Sequence, residues 1–148
     1  MAIKHLKPPK GSITESTERK ILISDYMKTN LITFSPDQLI VNVMDVLIKN
    51  NISGGPVVNE KNELLGMVSE RDCMKQISES RYFNVPLPDA TVGNFMATDV
   101  DTLDQNMTIF DAANIFHSTG RKRFPIVEAG KLIGQISRRD IVKAALEL

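Results

Sequence analysis

Apolar residues along this chain follow two different spacings. Short apolar runs rich in β-branched residues predict strands, and longer stretches with apolar residues every three or four positions predict amphipathic helices. In the first half, these segments give strand, helix, strand, strand and helix, at 31–34, 36–50, 56–58, 64–68 and from 69 onward. The second half gives the same order, at 100–103, from 104, 124–127, 132–136 and 137–146. The chain is therefore predicted to contain two similar units of mixed α/β (α+β) class. The sheet of each unit needs a partner unit to bury its apolar face.

Two residues mark the expected starts of the first helix in each half. Ser35 precedes Pro36, and a serine N-cap followed by proline at the first helical position is a common helix start. Asp104 has the corresponding place in the second half, because it directly follows a predicted strand. Both residues are expected to be N-caps.

The two halves also align residue by residue. Met27 matches Met96 at an offset of 69 positions, and the register holds through Pro56 and Pro125. The offset becomes 68 within the next turn, and the match then continues. A one-residue gap in a turn is where a duplicated unit tolerates a change of length. Units of this size do not bury their apolar faces alone, so the two are expected to pack as a pair.

The most informative repeated stretch joins the last strand of each half to its last helix. It reads Gly-x-x-Ser-x-x-Asp, at 66–72 and again at 134–140. Serine is a natural N-cap, and the aspartate three positions later lies in the first helical turn. A helix N-terminus favours an anion, and a carboxylate accepts hydrogen bonds from ribose hydroxyls. The alternative is a capping box without a ligand, but repetition within a longer repeat favours binding.

The order of motifs in each half resembles a cystathionine β-synthase (CBS) domain. The shared motifs are Met-x-Thr, a threonine before a helix, Gly-Gly-Pro-Val-Val-Asn or Arg-Phe-Pro-Ile-Val-Glu, and the serine–aspartate motif. Two such domains in tandem resemble a stand-alone Bateman module, and the resemblance covers about 22–146. It implies two β-α-β-β-α repeats packed through their sheets with pseudo-twofold symmetry. The expected organisation is a flexible N-terminal arm, a first repeat with a leading helix, a connector and a second repeat, at 1–20, 21–77, 78–93 and 94–148.

The resemblance further implies clefts for an adenosine-containing ligand such as AMP, ADP, ATP, NAD or S-adenosylmethionine. The serine and aspartate of each motif would contact ribose and phosphate, and a threonine before each first helix would lie near the base or ribose. Backbone beside the shared proline would flank the adenine. For these threonines and prolines, the alternative is ordinary strand-edge chemistry. The implied residues are Thr33, Pro56, Val57, Ser69 and Asp72 in the first repeat, and Thr102, Pro125, Ile126, Ser137 and Asp140 in the second.

The two repeats differ most just before this proline. The first repeat has Gly54 there, whereas the second has Arg121-Lys122-Arg123, with its last arginine at the position where many nucleotide-binding CBS domains have a basic residue. Arg138 and Arg139 are expected nearby. Arginine pairs with phosphate oxygens through two parallel hydrogen bonds. Unequal clefts are therefore predicted, one cationic and one with a glycine floor, and the alternative is a solvated basic loop.

Composition narrows the possible classes of function. The 148 residues carry no formal net charge, which argues against a general nucleic-acid or membrane-surface binder. The single cysteine, Cys73, cannot form an internal disulfide, so a reducing cytoplasm is expected. Residues 1–10 lack the apolar core of a signal peptide, and no apolar run is long enough to span a bilayer. A soluble, cytoplasmic protein is predicted.

No catalytic or metal-binding set is expected from the sequence. His5 lies in the N-terminal arm and His117 on a packing helix, and neither has a metal-ligand pattern beside it. The phosphate-binding lysine loop and the dinucleotide-binding glycine fingerprint are also absent from the sequence. The predicted function is a homodimeric regulatory sensor of an adenosine ligand, with an unidentified downstream protein partner. The alternatives are a ligand-free dimerisation or adaptor module and, with the least support, an enzyme.

Overall fold

A computed structural model describes residues 2–8, 20–83 and 90–148. The mixed helix and strand content confirms the predicted fold class. A short 3₁₀ helix, Ile23–Asp25, lies ahead of the first α-helix. The other elements are β1 (Ala2–His5), α1 (Ile40–Asn50), β2 (Gly54–Val58), β3 (Leu64–Ser69), α2 (Glu70–Phe83), α3 (Val92–Phe95), β4 (Asp99–Thr102), α4 (Ile109–Thr119), β5 (Arg123–Glu128), β6 (Lys131–Ser137) and α5 (Arg138–Leu146).

Backbone contacts divide the chain into two compact units. The first unit contains Met1–Ile3 and Ile32–Val100, and the second contains Lys4–Leu31 and Asp101–Leu148. These units differ from the two halves of the sequence, because Lys4–Leu31 belongs to the second unit and Ile32–Val100 to the first. The repeat boundaries expected at 21–77 and 94–148 therefore remain a prediction about the sequence duplication, distinct from the division by contacts.

The first unit is built on the antiparallel hairpin of β2 and β3, in which Gly54 lies opposite Ser69. Phe34 extends this sheet by a parallel bridge to Val57, and Ala97 extends it on the other side. The expected strand at 31–34 is thus present only as a bridge at Phe34. Alternate residues of β3 are buried, because side chains of a strand point to opposite faces. The core contains Phe34, Ile40, Val43, Leu47, Val57, Val68, Cys73, Ala90 and Val92.

The second unit repeats this plan with β5 and β6, in which Arg123 lies opposite Ser137. Leu103 adds a parallel bridge to Ile126, and Lys28 adds an antiparallel bridge to Gln135. α4 ends at Gly120, whose φ of 69° is a left-handed conformation that glycine adopts without a steric cost. The core contains Ile23, Leu103, Met107, Ala112, Ile115, Phe116, Phe124, Ile126 and Ile136.

The predicted N-caps of the first helix in each unit are wrong. α1 has Leu39 as its N-cap, and Ser35 instead begins a separate turn with Gln38. α4 has Thr108 as its N-cap, and the carboxylate of Asp104 accepts from the amide of Asn106 in a local turn. Both helices start late because their N-caps pair with distant backbone: Leu39 bridges Thr91 and Thr108 bridges Leu22. These bridges hold the chain extended up to the N-cap residue.

The N-terminal arm is not structureless over the residues that the structure describes. Ala2–His5 forms a strand that pairs with β4. The amide of Leu6 then donates to the carbonyl of Thr102 at 2.8 Å. The expectation of a flexible arm is therefore wrong for this segment.

Within the described ranges, every helix is too short or too polar to cross a membrane.

Candidate functional site

The predicted site residues centre on two helix starts of the same geometry. In the second unit, Ser137 caps α5, and Oδ2 of Asp140 accepts from both the amide and the hydroxyl of Ser137, at 2.8 and 2.9 Å. The amide of Asp140 donates back to the serine hydroxyl at 3.3 Å. This is a complete capping box. The rigid strand-to-helix turn places a hydroxyl and a carboxylate together at the start of a helix.

The first unit has a similar arrangement between β3 and α2. Oδ2 of Asp72 accepts from the amide of Ser69 at 2.8 Å and from its hydroxyl at 3.2 Å. Both aspartates thus accept hydrogen bonds from the amide and the hydroxyl of the serine three positions earlier. A carboxylate has room for about four hydrogen bonds, so capping occupies only part of each group. Oδ1 of Asp72 and of Asp140 accepts no hydrogen bond from any residue in 2–8, 20–83 or 90–148.

The two carboxylates differ in their surroundings. Asp140 is buried, whereas Asp72 is half-buried. Burial raises the pKa of Asp72 above its ordinary value of 3.8, and this effect outweighs the hydrogen bonds from Ser69 and the positive charges of Arg71 and Lys75. Loss of water around a carboxylate disfavours its charged form. A group that donates hydrogen bonds to Asp72 would therefore replace solvation that the fold has removed.

The loop before each hairpin is tied to the start of the following helix. The first amide of α2, at Glu70, donates to the carbonyl of Ser53 at 2.9 Å, and the first amide of α5, at Arg138, donates to the carbonyl of Lys122 at 3.2 Å. These bonds bring the region before the shared proline to the serine–aspartate motif in each unit. The structure therefore brings the predicted basic loop and the second motif together.

Gly54 has a steric reason to be glycine. A Cβ at this position would lie 2.6 Å from the carbonyl oxygen of Val68, which is closer than side-chain carbons approach backbone oxygens. The close approach at Gly54 is thus to the protein's own strand β3, and a glycine floor for a ligand stays a prediction.

Two of the predicted cationic residues are committed to structural contacts. Nε of Arg121 donates to Oδ2 of Asp101 at 2.7 Å, in an ion pair whose carboxylate side chain is 13% exposed. Arg138 donates from Nε and Nη2 to the carbonyls of Arg121 and Gly120, at 3.0 and 3.2 Å. Sequence reasoning missed Asp101, because it lies 20 positions from its partner with no local signal. Lys122 and Arg139 are exposed, and neither has an ion pair among the described residues.

The other predicted residues lie in the sheets or at their edges. The carbonyl of Pro56 accepts from the amide of Phe34 at 2.9 Å, and that of Pro125 accepts from Leu103 at 3.1 Å. These two carbonyls therefore accept hydrogen bonds within the sheets. Val57 and Ile126 are fully buried. Thr33 is exposed, whereas Thr102 is fully buried.

A groove of about 790 Å³ lies in the first unit, at the end of the hairpin that carries its turn. Thr33 is the only predicted site residue on its walls, and Ser69 and Asp72 lie at the opposite end of β3. From the sequence alone, the lining residues between β2 and β3 were recognisable only as a turn, with no sign of a groove. The lining residues are 33–38, Val58, Asn59, Glu60, Lys61 and Glu63.

Metal-ligating side chains do not gather anywhere in the described part of the chain: no group of three or more His, Cys, Asp or Glu residues is placed to hold an ion.

Comparison with known proteins gives two matches to the model of one family, described as the CBS domain, at residues 23–79 and 92–147. Two uncharacterized proteins of Methanocaldococcus jannaschii are similar in sequence. MJ1225 is 26% identical over 88% of this chain, which spans 47% of that protein, or about half its length. MJ1426 is 30% identical over 85% of this chain and 92% of its own length.

Among solved structures, CBSX2 of Arabidopsis thaliana in complex with AMP is similar in fold. It is 27% identical, with a TM-score of 0.75, and the match covers 86% of this chain and 97% of that chain.

Proposed function

Because this chain belongs to the CBS domain family and contains the domain twice, we propose that it is a regulatory module that binds an adenosine-containing ligand at the starts of α2 and α5. The observation that carries the proposal is the repeated serine–aspartate pair, in which Oδ2 of each aspartate accepts from serine and Oδ1 accepts from none of the described residues. The AMP complex of the related plant protein supports the class of ligand.

The chemistry of each helix start matches a sugar-phosphate. Ribose hydroxyls would donate to Oδ1 of Asp72 in the first unit and of Asp140 in the second. A phosphate would accept from the amides of the first helical turn, where the helix dipole favours negative charge. The partly buried serine–aspartate bonds fix each carboxylate before the ligand arrives, so little ordering cost remains at binding.

The second unit offers more positive charge to a phosphate than the first. Lys122 and Arg139 are both exposed. Arg139 lies two positions after Ser137, and Lys122 is held near Ser137 by the bond from the first amide of α5 to its carbonyl. Arg123 lies opposite Ser137 in the hairpin. The first unit has Gly54 in place of Arg123. We therefore expect a ligand with more phosphate groups to prefer the second unit, and a ligand with fewer charges to suit the first.

Binding regulates only if the ligand prefers one conformation or assembly of the protein over another. A ligand that holds the loop before the hairpin against the helix start would stabilise the unit that it occupies. The two units can respond separately, because each contains its own serine–aspartate pair.

Thermal unfolding with AMP, ADP, ATP, NAD and S-adenosylmethionine tests this function. A ligand that binds only the folded protein raises the melting temperature by mass action. We expect at least one of the five to do so, and isothermal titration then gives its affinity. The absence of both a thermal shift and binding heat at millimolar ligand would contradict the proposal.

A pair of variants tests the role of the cations. Replacing both Lys122 and Arg139 with alanine should weaken ATP binding by about tenfold, or ~1.4 kcal/mol, because two phosphate contacts are lost. Lys131→Ala is the matched control, since Lys131 is an exposed lysine of the same unit at the far end of the hairpin. Equal affinity of the double variant and the control would remove these residues from the site.

Exposed apolar side chains favour a second function, dimerisation. In the first unit, Ile48, Met74 and Ile77 are 79, 66 and 47% exposed on α1 and α2. In the second, Phe110, Val142 and Leu146 are 57, 60 and 83% exposed on α4 and α5. Large exposed apolar surfaces usually mark an interface. We propose a second copy of this chain as their partner, which would make the protein a homodimer.

Light scattering after size exclusion separates the two functions. A dimer that shows no thermal shift with any of the five ligands would favour the ligand-free adaptor. If the wild-type protein has the mass of a monomer, and Phe110→Ser leaves that mass unchanged, the proposed dimer is contradicted.

A further inference from the structure

A short N-terminal segment is docked on the second unit beside Thr102. The amide of Leu6 donates to the carbonyl of Thr102 at 2.8 Å, and the hydroxyl of Thr102 donates to the carbonyl of Lys4 at 3.4 Å. Nδ1 of His5 lies 2.9 Å from this hydroxyl, and Nε2 of the same ring lies 3.6 Å from Oδ2 of Asp104. Leu6 packs against the hydrophobic core of the second unit. A segment of basic and apolar residues therefore has a built place on this unit.

The duplication carries these contact positions over to the first unit. At the offset of 69 positions, Thr102 aligns with Thr33 and Asp104 aligns with Ser35. Thr33 and Ser35 are both exposed, and both line the groove of about 790 Å³. The groove of the first unit thus corresponds to the place that Lys4–Leu6 takes on the second unit.

The backbone of the first unit offers unused hydrogen-bonding groups at this place. The carbonyl of Thr102 accepts from Leu6, whereas the aligned carbonyl of Thr33 accepts no hydrogen bond from any residue that the structure describes. Residues 30–33 form no strand, but the aligned Asp99–Thr102 is β4 and pairs with β1. An extended segment can add itself to such an edge, because its own backbone groups pair with those left over.

The walls of the groove favour a segment with positive charge. Among the described lining residues, Asp37, Glu60 and Glu63 supply three carboxylates, and Lys61 supplies one ammonium group. None of these carboxylates forms an ion pair with a described residue. Val58 is only half-buried and offers an apolar contact in the same groove. A segment with lysine or arginine beside an apolar residue matches this lining in charge and in polarity.

We propose that this groove is a docking site for an extended segment of a partner protein, in which lysine or arginine flanks an apolar residue. The segment pairs with the backbone at Thr33, lays its apolar side chain on Val58 and places its cations beside the carboxylates of the groove. The N-terminal segment of this chain is not the occupant, because the contacts of Lys4–Leu6 already hold it on the second unit. The groove lies at the hairpin end opposite the serine–aspartate motif, so docking is separate from the proposed ligand binding.

The probe for the test is a synthetic peptide of residues 2–8, capped at both ends and carrying a fluorophore. Its sequence, Ala-Ile-Lys-His-Leu-Lys-Pro, has two lysines and no acidic residue. Fluorescence anisotropy with the full-length protein should show saturable binding that weakens as salt is added. The same peptide with aspartate in place of leucine should bind at least about tenfold more weakly, because the apolar contact is lost. No saturable binding of the first peptide at millimolar protein would overturn the inference.

Charge-reversed variants of the groove locate the binding. Asp37→Lys and Glu60→Lys should each weaken peptide binding by about threefold or more, because a cation then opposes the lysines of the peptide. Both side chains are exposed, so the fold should tolerate the changes. Glu128→Lys is the matched control, because Glu128 is exposed at the hairpin turn of the second unit. Equal weakening by Glu128→Lys would show attraction to the net charge alone and would contradict docking in the groove.

Two further measurements distinguish the groove and its occupant from the alternatives. In nuclear magnetic resonance spectra of the isotope-labelled protein, the unlabelled peptide should shift the amide signals of 33–38 and 58–63 and leave those of 102–107 in place. Shifts confined to 102–107 would refute the assignment to the first unit. The mass from light scattering should be the same for the wild type and for Glu60→Lys. A lower mass of the variant would make a second copy of this chain the occupant and would rule out the partner protein.

Discussion

Met67 and Ala97 exchange two backbone hydrogen bonds, with the amide of each donating to the carbonyl of the other at 2.9 and 2.8 Å. This pair brings the segment ahead of β4 against the outer side of β3. The second unit has the same relationship between Gln135 and Lys28, with both bonds at 2.9 Å. The glycine just before the strand member of each pair, Gly66 or Gly134, is what lets the two backbones approach.

Gly66→Ala should lower the free energy of unfolding by about 1–3 kcal/mol, the usual cost of overpacking a well-packed site. A Cβ at Gly66 would lie 2.5 Å from the carbonyl oxygen of Ala97, which is backbone and yields only if the bridge shifts. Gly134→Ala should cost less, because its nearest neighbour is the flexible Sδ of Met27, at 2.8 Å. Urea unfolding of both variants measures the difference. A Gly66→Ala protein as stable as the wild type would contradict this account of the bridge.

Arg121→Ala should destabilise the protein by about 1–2 kcal/mol, since it leaves the largely buried carboxylate of Asp101 without its charged partner. Lys49→Ala is the control, because Lys49 pairs with Asp45 on the exposed face of α1. An exposed pair of this kind is worth about 0.3–0.5 kcal/mol. Denaturant midpoints of both variants, combined with Asp101→Asn in a double-mutant cycle, measure the coupling. Equal effects at Arg121 and Lys49 would mean that the burial of Asp101 does not matter.

The stability difference between Asp72→Asn and the wild type should depend on pH. The pKa of Asp72 is raised in the folded protein, so the folded state holds this proton more tightly than the unfolded state. Protonation of Asp72 therefore stabilises the fold, and this stability is lost as the pH rises through the folded pKa. The asparagine side chain of the variant does not titrate, so Asp72→Asn should gain stability relative to the wild type as the pH rises from about 3.8, the ordinary value, towards neutrality.

Unfolding of both proteins by urea across this range measures the effect of Asp72→Asn. Glu60→Gln controls for the change of net charge at an exposed turn position. A stability difference that falls with rising pH would reverse the expected sign.

Cys73 should react slowly with thiol reagents in the folded protein. The side chain is 5% exposed, and burial raises the pKa of the thiol, with the negative charges of Asp72 and Glu70 adding to the effect. The thiolate is the reactive form, so a raised pKa and burial both reduce the rate. Alkylation by iodoacetamide at a pH of about 8 should be at least about tenfold slower in buffer than in denaturant. Equal rates would show that the helix start of α2 opens readily.

Local signals were sufficient wherever the structure depends on neighbours in sequence. The hairpins 56–58 with 64–68 and 124–127 with 132–136 were predicted within about two residues of β2, β3, β5 and β6. Short apolar runs bounded by turn residues are visible in a single strand, whether one face is buried, as in β3 and β6, or both, as in β2 and β5. The helix starts after Ser69 and Ser137 were also predicted, since the serine–aspartate motif spans only four consecutive residues. Ligand contacts at these motifs remain a prediction.

Local signals misled where distant backbone decided the outcome. Ser35 and Asp104 have the chemistry of N-caps, yet the bridges of Leu39 to Thr91 and of Thr108 to Leu22 place the helix starts later. The positive charges of the loop Arg121-Lys122-Arg123 were visible in the sequence. Its neutralisation at Arg121 depends on Asp101, which only the fold brings near.

The sequence by itself determined the duplication, the order of strands and helices, and the two serine–aspartate turns, because each of these depends on residues that are close along the chain. Only the tertiary structure decided which segment completes each unit, which arginine is neutralised, and that Lys4–Leu6 covers Thr102 while Thr33 stays open. These outcomes depend on pairing between residues up to about a hundred positions apart. Such pairs form only when the whole fold offsets the entropy of closing the loop between them.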